Sequence, residues 1–247
     1  MSTPSPGRAA EARRMILPGD PALPLVLAEP AGAPRGTVVL IHGRNGAPDQ
    51  PQIAQVAAAY LDRGWRVVRP ELPHSAALPG SGDPAALTLA GHVAAACRAL
   101  DHARTAWPDV PLALAGHSIG GYAVGRLAAT PGLAHLLAVS PVLSGPRLLA
   151  ARRAMGPQAM AELEAEAPLY RQELDRADAA PVLATSAAPL AVVTGACDGL
   201  VTPAHARAFG AAAPGLVFFG SIPGQHHCPE GPDCAAMLAA ALIAVGA

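Results

Sequence analysis

From Gly36 onward, short apolar runs rich in Val, Leu and Ile alternate with longer Ala-rich segments whose apolar residues recur at helical spacing. Few architectures tolerate that alternation. A short strand with apolar side chains on both faces needs cover on both, and crossover helices supply that cover in a mostly parallel sheet. The runs Thr37–Ile41, Arg66–Arg69, Leu112–Ala115, Leu136–Ser140, Leu190–Thr194 and Leu216–Phe219 are read as strands. Helices are expected over Pro51–Asp62, Leu89–Thr105, Ile119–Ala129, Pro203–Ala212 and Asp233–Val245. Ahead of them, Arg14–Leu17 and Leu23–Glu29 pattern as an antiparallel pair at one sheet edge, turning at Pro18, Gly19, Asp20 and Pro21. The expected class is α/β, a mostly parallel central sheet with helices on both faces.

One interval breaks the rhythm. Between the strand ending near Ser140 and the strand opening at Leu190 lie many more residues than a crossover needs. Within it, Leu148–Met155 and Gln158–Asp178 are helical in pattern, which predicts a small helical lid over residues 144–188. The strand pattern then resumes and no internal repeat is present, so residues 1–247 are expected to form a single domain carrying that insertion.

Composition narrows the function classes. With 51% hydrophobic and 14% charged residues the chain has ample material for a large core. A net charge of -1 with no basic block argues against a nucleic-acid partner, and 3% aromatic residues argue against a base-stacking platform. Any pocket should be mainly aliphatic. Met1–Arg14 lacks the apolar stretch of a secretory signal, and the Ala-rich segments are interrupted by Arg, Asp, His or Pro, so a cytoplasmic protein without a membrane span is expected. Cys97, Cys197, Cys228 and Cys234 are too scattered for a disulfide scaffold, and thiols are the expectation, a Cys228–Cys234 bridge the minority reading. His226-His227-Cys228 near Asp233-Cys234 matches no closed zinc module, and no metal site is expected. Neither a dinucleotide fingerprint after the first core strand nor a phosphate loop is present.

The chemistry-bearing motif is Gly116-His117-Ser118-Ile119-Gly120, a G-x-S-x-G pattern set between an apolar run and a helical segment. Glycines flanking the serine suit a strained strand-to-helix turn that exposes the hydroxyl at the carboxyl edge of a sheet. The helix start beside it favours negative charge. The competing explanation is an ordinary Gly-rich turn.

On these residues the sequence resembles the α/β-hydrolase superfamily of serine hydrolases and esterases, from about Val38 to Ile243. His42-Gly43-Arg44-Asn45-Gly46 after the first core strand looks like that family's oxyanion loop, which implies that the backbone amides of Arg44 and Ile119 hold the oxyanion. Ser221-Ile222-Pro223-Gly224-Gln225-His226-His227 resembles the loop that carries the general base; the match favours His227, and the doublet leaves His226 as the alternative. Thr194-Gly195-Ala196-Cys197-Asp198-Gly199-Leu200-Val201-Thr202-Pro203 resembles the acid loop, so Asp198 is the implied orienting carboxylate, with Glu71 as the fallback. His42, His74, His117 and His226 are candidates for the substrate pocket, and Arg44, Arg147 or Arg152 for contact with an anionic group. The resemblance implies cleavage of a small or aliphatic carboxylic ester through an acyl-enzyme, with no cofactor and a small-molecule ester as the partner. An amide or peptide hydrolase on the same residues, and a non-catalytic binding protein on the same fold, are the alternatives.

Overall fold

The structure, a computed structural model, describes residues 12–247; the segment before residue 12, on which the reading of the N-terminus chiefly rests, lies outside the described residues. Among the described residues eight strands form one sheet: β1 (Arg13–Leu17), β2 (Leu23–Ala28), β3 (Gly36–Ile41), β4 (Trp65–Pro70), β5 (Leu112–His117), β6 (Leu133–Val139), β7 (Leu190–Gly195) and β8 (Leu216–Ile222). Their spatial order is β1-β2-β4-β3-β5-β6-β7-β8. β1 and β2 pair antiparallel, as does β2 with β4, and every later pairing is parallel.

Alternation along each strand divides the core into two layers. Val39 and Ile41 of β3 point to one face, where they share a buried cluster with Ala95, Ala99, Val124 and Phe209. Val38 and Leu40 point to the other, against Ile53, Val56, Leu238 and Leu242. The helices that cover these faces are α2 (Leu89–Ala106), α3 (Ile119–Leu127) and α8 (Pro203–Ala211) on the first, and α1 (Pro51–Leu61) and α9 (Pro232–Ala244) on the second. Each Val or Leu buried this way contributes about 1.5–3 kcal/mol. Local sequence sets the helix starts: Pro51, Pro203 and Pro232 occupy first helical positions, and Thr88 and Thr202 accept from the amides of Gly91 and His205 as N-caps.

The connection from β3 runs to β4 on one side, and the connection from β4 returns past β3 to β5 on the other. The carboxyl ends of β3 and β5 therefore flank a topological switch point, where an open α/β sheet leaves a crevice. Both motif loops, His42–Gly46 and Gly116–Gly120, emerge there.

Between β6 and β7 stand four helices: α4 (Gly145–Ala154), α5 (Pro157–Glu166), α6 (Pro168–Leu174) and α7 (Ala180–Leu183). The sequence pattern predicts one helix over 158–178, whereas the chain breaks at Ala167, whose φ of -147° and ψ of 67° are not helical. Pro168 is the cause, because its ring disfavours the α conformation in the preceding residue. β8 also extends beyond the expected Phe219. Ser221 and Ile222 pair with Thr194 and Gly195, so polar Ser221 ends the apolar pattern without ending the strand.

Candidate active site

Ser118 sits between β5 and α3 with φ 59° and ψ -119°, a conformation L-residues rarely adopt. The surroundings hold it there. Its amide donates to the Val139 carbonyl at 3.0 Å, and its carbonyl accepts from Val142 and Tyr122 at 3.1 and 3.2 Å. A Cβ on Gly116 would overlap the Gly120 carbonyl, and one on Gly120 would overlap the Ile41 carbonyl oxygen. The two glycines thus let strand, turn and helix close around the serine.

His227 Nε2 lies 2.9 Å from Ser118 Oγ, and its Nδ1 lies 2.8 Å from Asp198 Oδ2. With the Nδ1 proton directed at the carboxylate, Nε2 is free to accept from the serine hydroxyl. Asp198 is buried, and its other oxygen, Oδ1, accepts from the amides of Leu200 and Val201 at 2.9 and 2.8 Å. Burial alone pushes this carboxyl up, but the His227 hydrogen bond and charge and those two amides outweigh it and hold the group below its ordinary value. Thr202, not Asp198, caps the helix that follows.

The histidine doublet is separated by geometry. His226 is exposed, and its Nδ1 donates to the Cys197 carbonyl at 3.0 Å, away from the serine. Of the four histidines expected near the substrate pocket, only His117 lines the cavity around Ser118. His42 is 1% exposed: Nδ1 donates to the Gly43 carbonyl and Nε2 accepts from the Leu72 amide. His74 lines a different cavity, of about 510 Å³, together with Glu71 and Arg98, and His226 lines no part of the cavity around Ser118. His117 does line that cavity, although its Nε2 is engaged in donating to the His227 carbonyl at 2.8 Å. Glu71, the fallback acid, pairs with Arg14.

What sequence reasoning missed is that these histidines anchor the loops. His92 of α2 donates to the His42 carbonyl at 3.1 Å, and His205 of α8 accepts from the Leu143 amide at 2.9 Å at the root of the insertion. His42, His92, His117 and His205 are neutral near pH 7: burial pulls His42 and His205 down to about 4 and His92 and His117 down to about 3. An apolar neighbourhood around each histidine was the only available signal, and it does not name the backbone group that each one meets.

The loop His42–Gly46 is fixed by the same means. The Gly43 carbonyl accepts from His42 Nδ1 at 2.8 Å and from the Gly46 amide at 3.1 Å. Because the peptide is planar and trans, the Arg44 amide faces the opposite way from that carbonyl. Among the described residues neither the Arg44 nor the Ile119 amide donates to a protein acceptor. A Cβ on Gly43 would lie 3.0 Å from Ser118 Cβ, so the loop runs directly beside the serine.

Around Ser118 lies a cavity of about 260 Å³, lined in part by Gly43, Arg44, Ile119, Leu148, Tyr170 and His227. Leu148 and Tyr170 come from α4 and α6, so the insertion walls the site. Arg44 pairs with Glu166 of α5 at 3.0 Å. Cys228 and Cys234 are unbonded, and among the described residues no group of three or more His, Cys, Asp and Glu side chains stands ready to hold a metal ion. No helix among the described residues is long and apolar enough to cross a membrane.

No family model matches the sequence, and no curated protein matches it. Solved structures do. Est1E from Butyrivibrio proteoclasticus with ferulic acid bound superposes with a TM-score of 0.73 at 18% identity, over 93% of this chain and 98% of that one. An α/β serine hydrolase described as without lid, from Xanthomonas campestris, gives 0.68 at 18% identity, over 95% and 94% of the two chains. An α/β serine hydrolase homologue from Coxiella burnetii gives 0.66 at 18% identity, over 92% and 96%. The chain therefore has the α/β-hydrolase fold, as the sequence resemblance implies.

Proposed function

We propose that this chain is a serine hydrolase that cleaves small carboxylic esters, with Ser118 as nucleophile, His227 as general base and Asp198 as the residue that orients the base. The observation that carries the reading is the continuous hydrogen-bonded path from the buried Asp198 carboxylate through both ring nitrogens of His227 to Ser118 Oγ. A serine hydroxyl alone is a weak nucleophile, and such a path is what activates it.

His227 takes the Ser118 proton as Oγ attacks the ester carbonyl. The tetrahedral oxyanion is held by the Arg44 and Ile119 amides, whose stabilisation appears only as charge develops; one such donor is worth about 2.7–4 kcal/mol. His227 then returns the proton to the departing alcohol, leaving an acyl-enzyme. Water, deprotonated by the same imidazole, attacks the acyl carbon, and collapse releases the carboxylic acid and restores the Ser118 hydroxyl.

The volume of about 260 Å³ supports a small substrate, because it falls below the range of about 300–1,000 Å³ common for drug-sized ligands. Hydrolysis of 4-nitrophenyl esters from acetate to dodecanoate tests the proposal. Turnover should favour short chains and vanish in Ser118→Ala, and a fluorophosphonate probe should label the wild type at Ser118. A wild-type protein that neither turns over esters nor takes the probe overturns the reading in favour of a binding protein.

A further inference from the structure

The α4 side of the Ser118 cavity holds a second cation. Arg152, on α4, lines the Ser118 cavity beside Arg44 and Tyr170. The two arginines are differently satisfied. Arg44 has a carboxylate partner in Glu166 at 3.0 Å, whereas Arg152 forms no ion pair among the described residues. Its Nη1 makes a single 3.3 Å bond to the Ala159 carbonyl, and its Nε is buried with no partner. Arg152 is only half-buried, yet a guanidinium has five donors and no means of shedding its charge near neutral pH, so covering part of it without a carboxylate carries a cost. Burial, and then the neighbouring Arg44 charge, pull its pKa down, while Tyr170, Glu166 and Glu162 act the other way from beyond ion-pair distance.

Resting on the proposed esterase reading, we infer that the substrate is a small ester bearing a free carboxylate, and that Arg152 is the residue that selects it. The planar fork of a guanidinium matches a carboxylate, and the cavity's size suits the half-ester of a short dicarboxylic acid, its ester end at Ser118 and its anionic end at the α4 wall. The low aromatic content of the chain fits a substrate recognised by charge rather than by ring stacking. The insertion thereby supplies a specificity determinant that the sheet edge does not contain.

The test compares 4-nitrophenyl hemisuccinate with 4-nitrophenyl butyrate, esters of similar length that differ in the terminal carboxylate. The wild type should prefer the hemisuccinate by about tenfold to a hundredfold in kcat/KM, mainly through KM. In Arg152→Gln the ratio of the two constants should fall to about one, and Arg152→Lys should recover part of it. Because the readout is a ratio, a uniform loss from a displaced helix cancels. Equal use of both esters by the wild type, or a preference that survives in Arg152→Gln, overturns the inference while leaving the esterase reading intact. Calorimetry with Ser118→Ala protein gives the same answer without turnover: monomethyl succinate should bind at least tenfold more tightly than methyl butyrate, and equal binding overturns the inference. Such binding in a protein whose wild type hydrolyses no ester would instead sink the esterase reading alone.

Discussion

The sheet edge around Ser118 and the helical insertion above it are built on different principles. At the sheet edge, position is fixed by main-chain hydrogen bonds and by glycines that let backbones touch; Val139 and Val142 hold the serine peptide, and neutral buried histidines pin the adjoining loops. The insertion instead packs through its own apolar cluster, in which Leu148, Leu163, Tyr170 and Leu174 meet Ile119, Tyr122 and Val201. Its polar ties are sparse, chiefly Arg44–Glu166 and the Glu173 carboxylate that accepts from the Leu89 amide. The contrast teaches where precision is required. If the proposed chemistry holds, proton transfer needs the fixed geometry of the sheet edge, whereas a wall that selects substrate needs only the right shape and charge.

The sharpest break removes the chemistry while sparing both regions. Ser118→Ala and His227→Ala should each lower kcat/KM for a short ester by about 10⁴–10⁶-fold with an unchanged circular dichroism spectrum, whereas His226→Ala should cost less than about tenfold. Steady-state kinetics on the three variants decides it. Next, Asp198→Asn should keep the fold yet lower kcat by about 10⁴-fold, since the amide favours the wrong imidazole tautomer.

Stability should divide along the same line. Gly120→Ala drives a Cβ into the Ile41 carbonyl of the sheet, and Gly145→Ala drives one into the Leu174 carbonyl of α6. The first should lower the thermal midpoint more than the second, because a buried parallel sheet has less room to shift than short helices. Calorimetric scans of the two proteins compare them directly.

Acid should weaken the sheet region selectively. His42, His92, His117, His135 and His205 all lie outside the insertion, and burial lowers each from 6.5 to about 3 or 4. The unfolded chain takes up protons below pH 6.5 that the folded one refuses, so this stability is complete above pH 6.5 and is lost as pH falls toward 4. Each histidine contributes about 1.4 kcal/mol per pH unit across that window. Asp198, depressed in the fold, adds its loss only below its ordinary 3.8. Unfolding midpoints at pH 7.5, 6 and 5 should therefore fall steeply, and a flat profile would show that the histidines accept protons in place. The smallest effect belongs to Glu166→Gln: its half-exposed ion pair with Arg44 should be worth about 0–1 kcal/mol, seen as a change of a few-fold at most in KM.

Whereas the spatial order of the strands was not legible in the sequence, the places of the strands and helices along the chain were, because runs of apolar residues, helical spacing and the placement of Pro and Gly are local physics. The same holds for Ser118, whose flanking glycines record a backbone requirement, and for Asp198, which follows a strand in a recognisable loop. The histidines were less legible. His226 and His227 are neighbours in one loop, and what distinguishes them is which side of the chain faces β5, a consequence of Gln225 and His226 carbonyls lying against Gly195. His42 and His74 each follow a strand, yet one turns into the core and the other toward a separate cavity. Likewise Arg44 and Arg152 read alike in sequence, and only folding gives the first a carboxylate and leaves the second without one. Local pattern determined the elements and the turn that carries Ser118, because those depend on neighbours along the chain. Which imidazole reaches the serine, and which guanidinium is left without a carboxylate, depend on contacts between residues more than a hundred positions apart, and only the tertiary structure decides them.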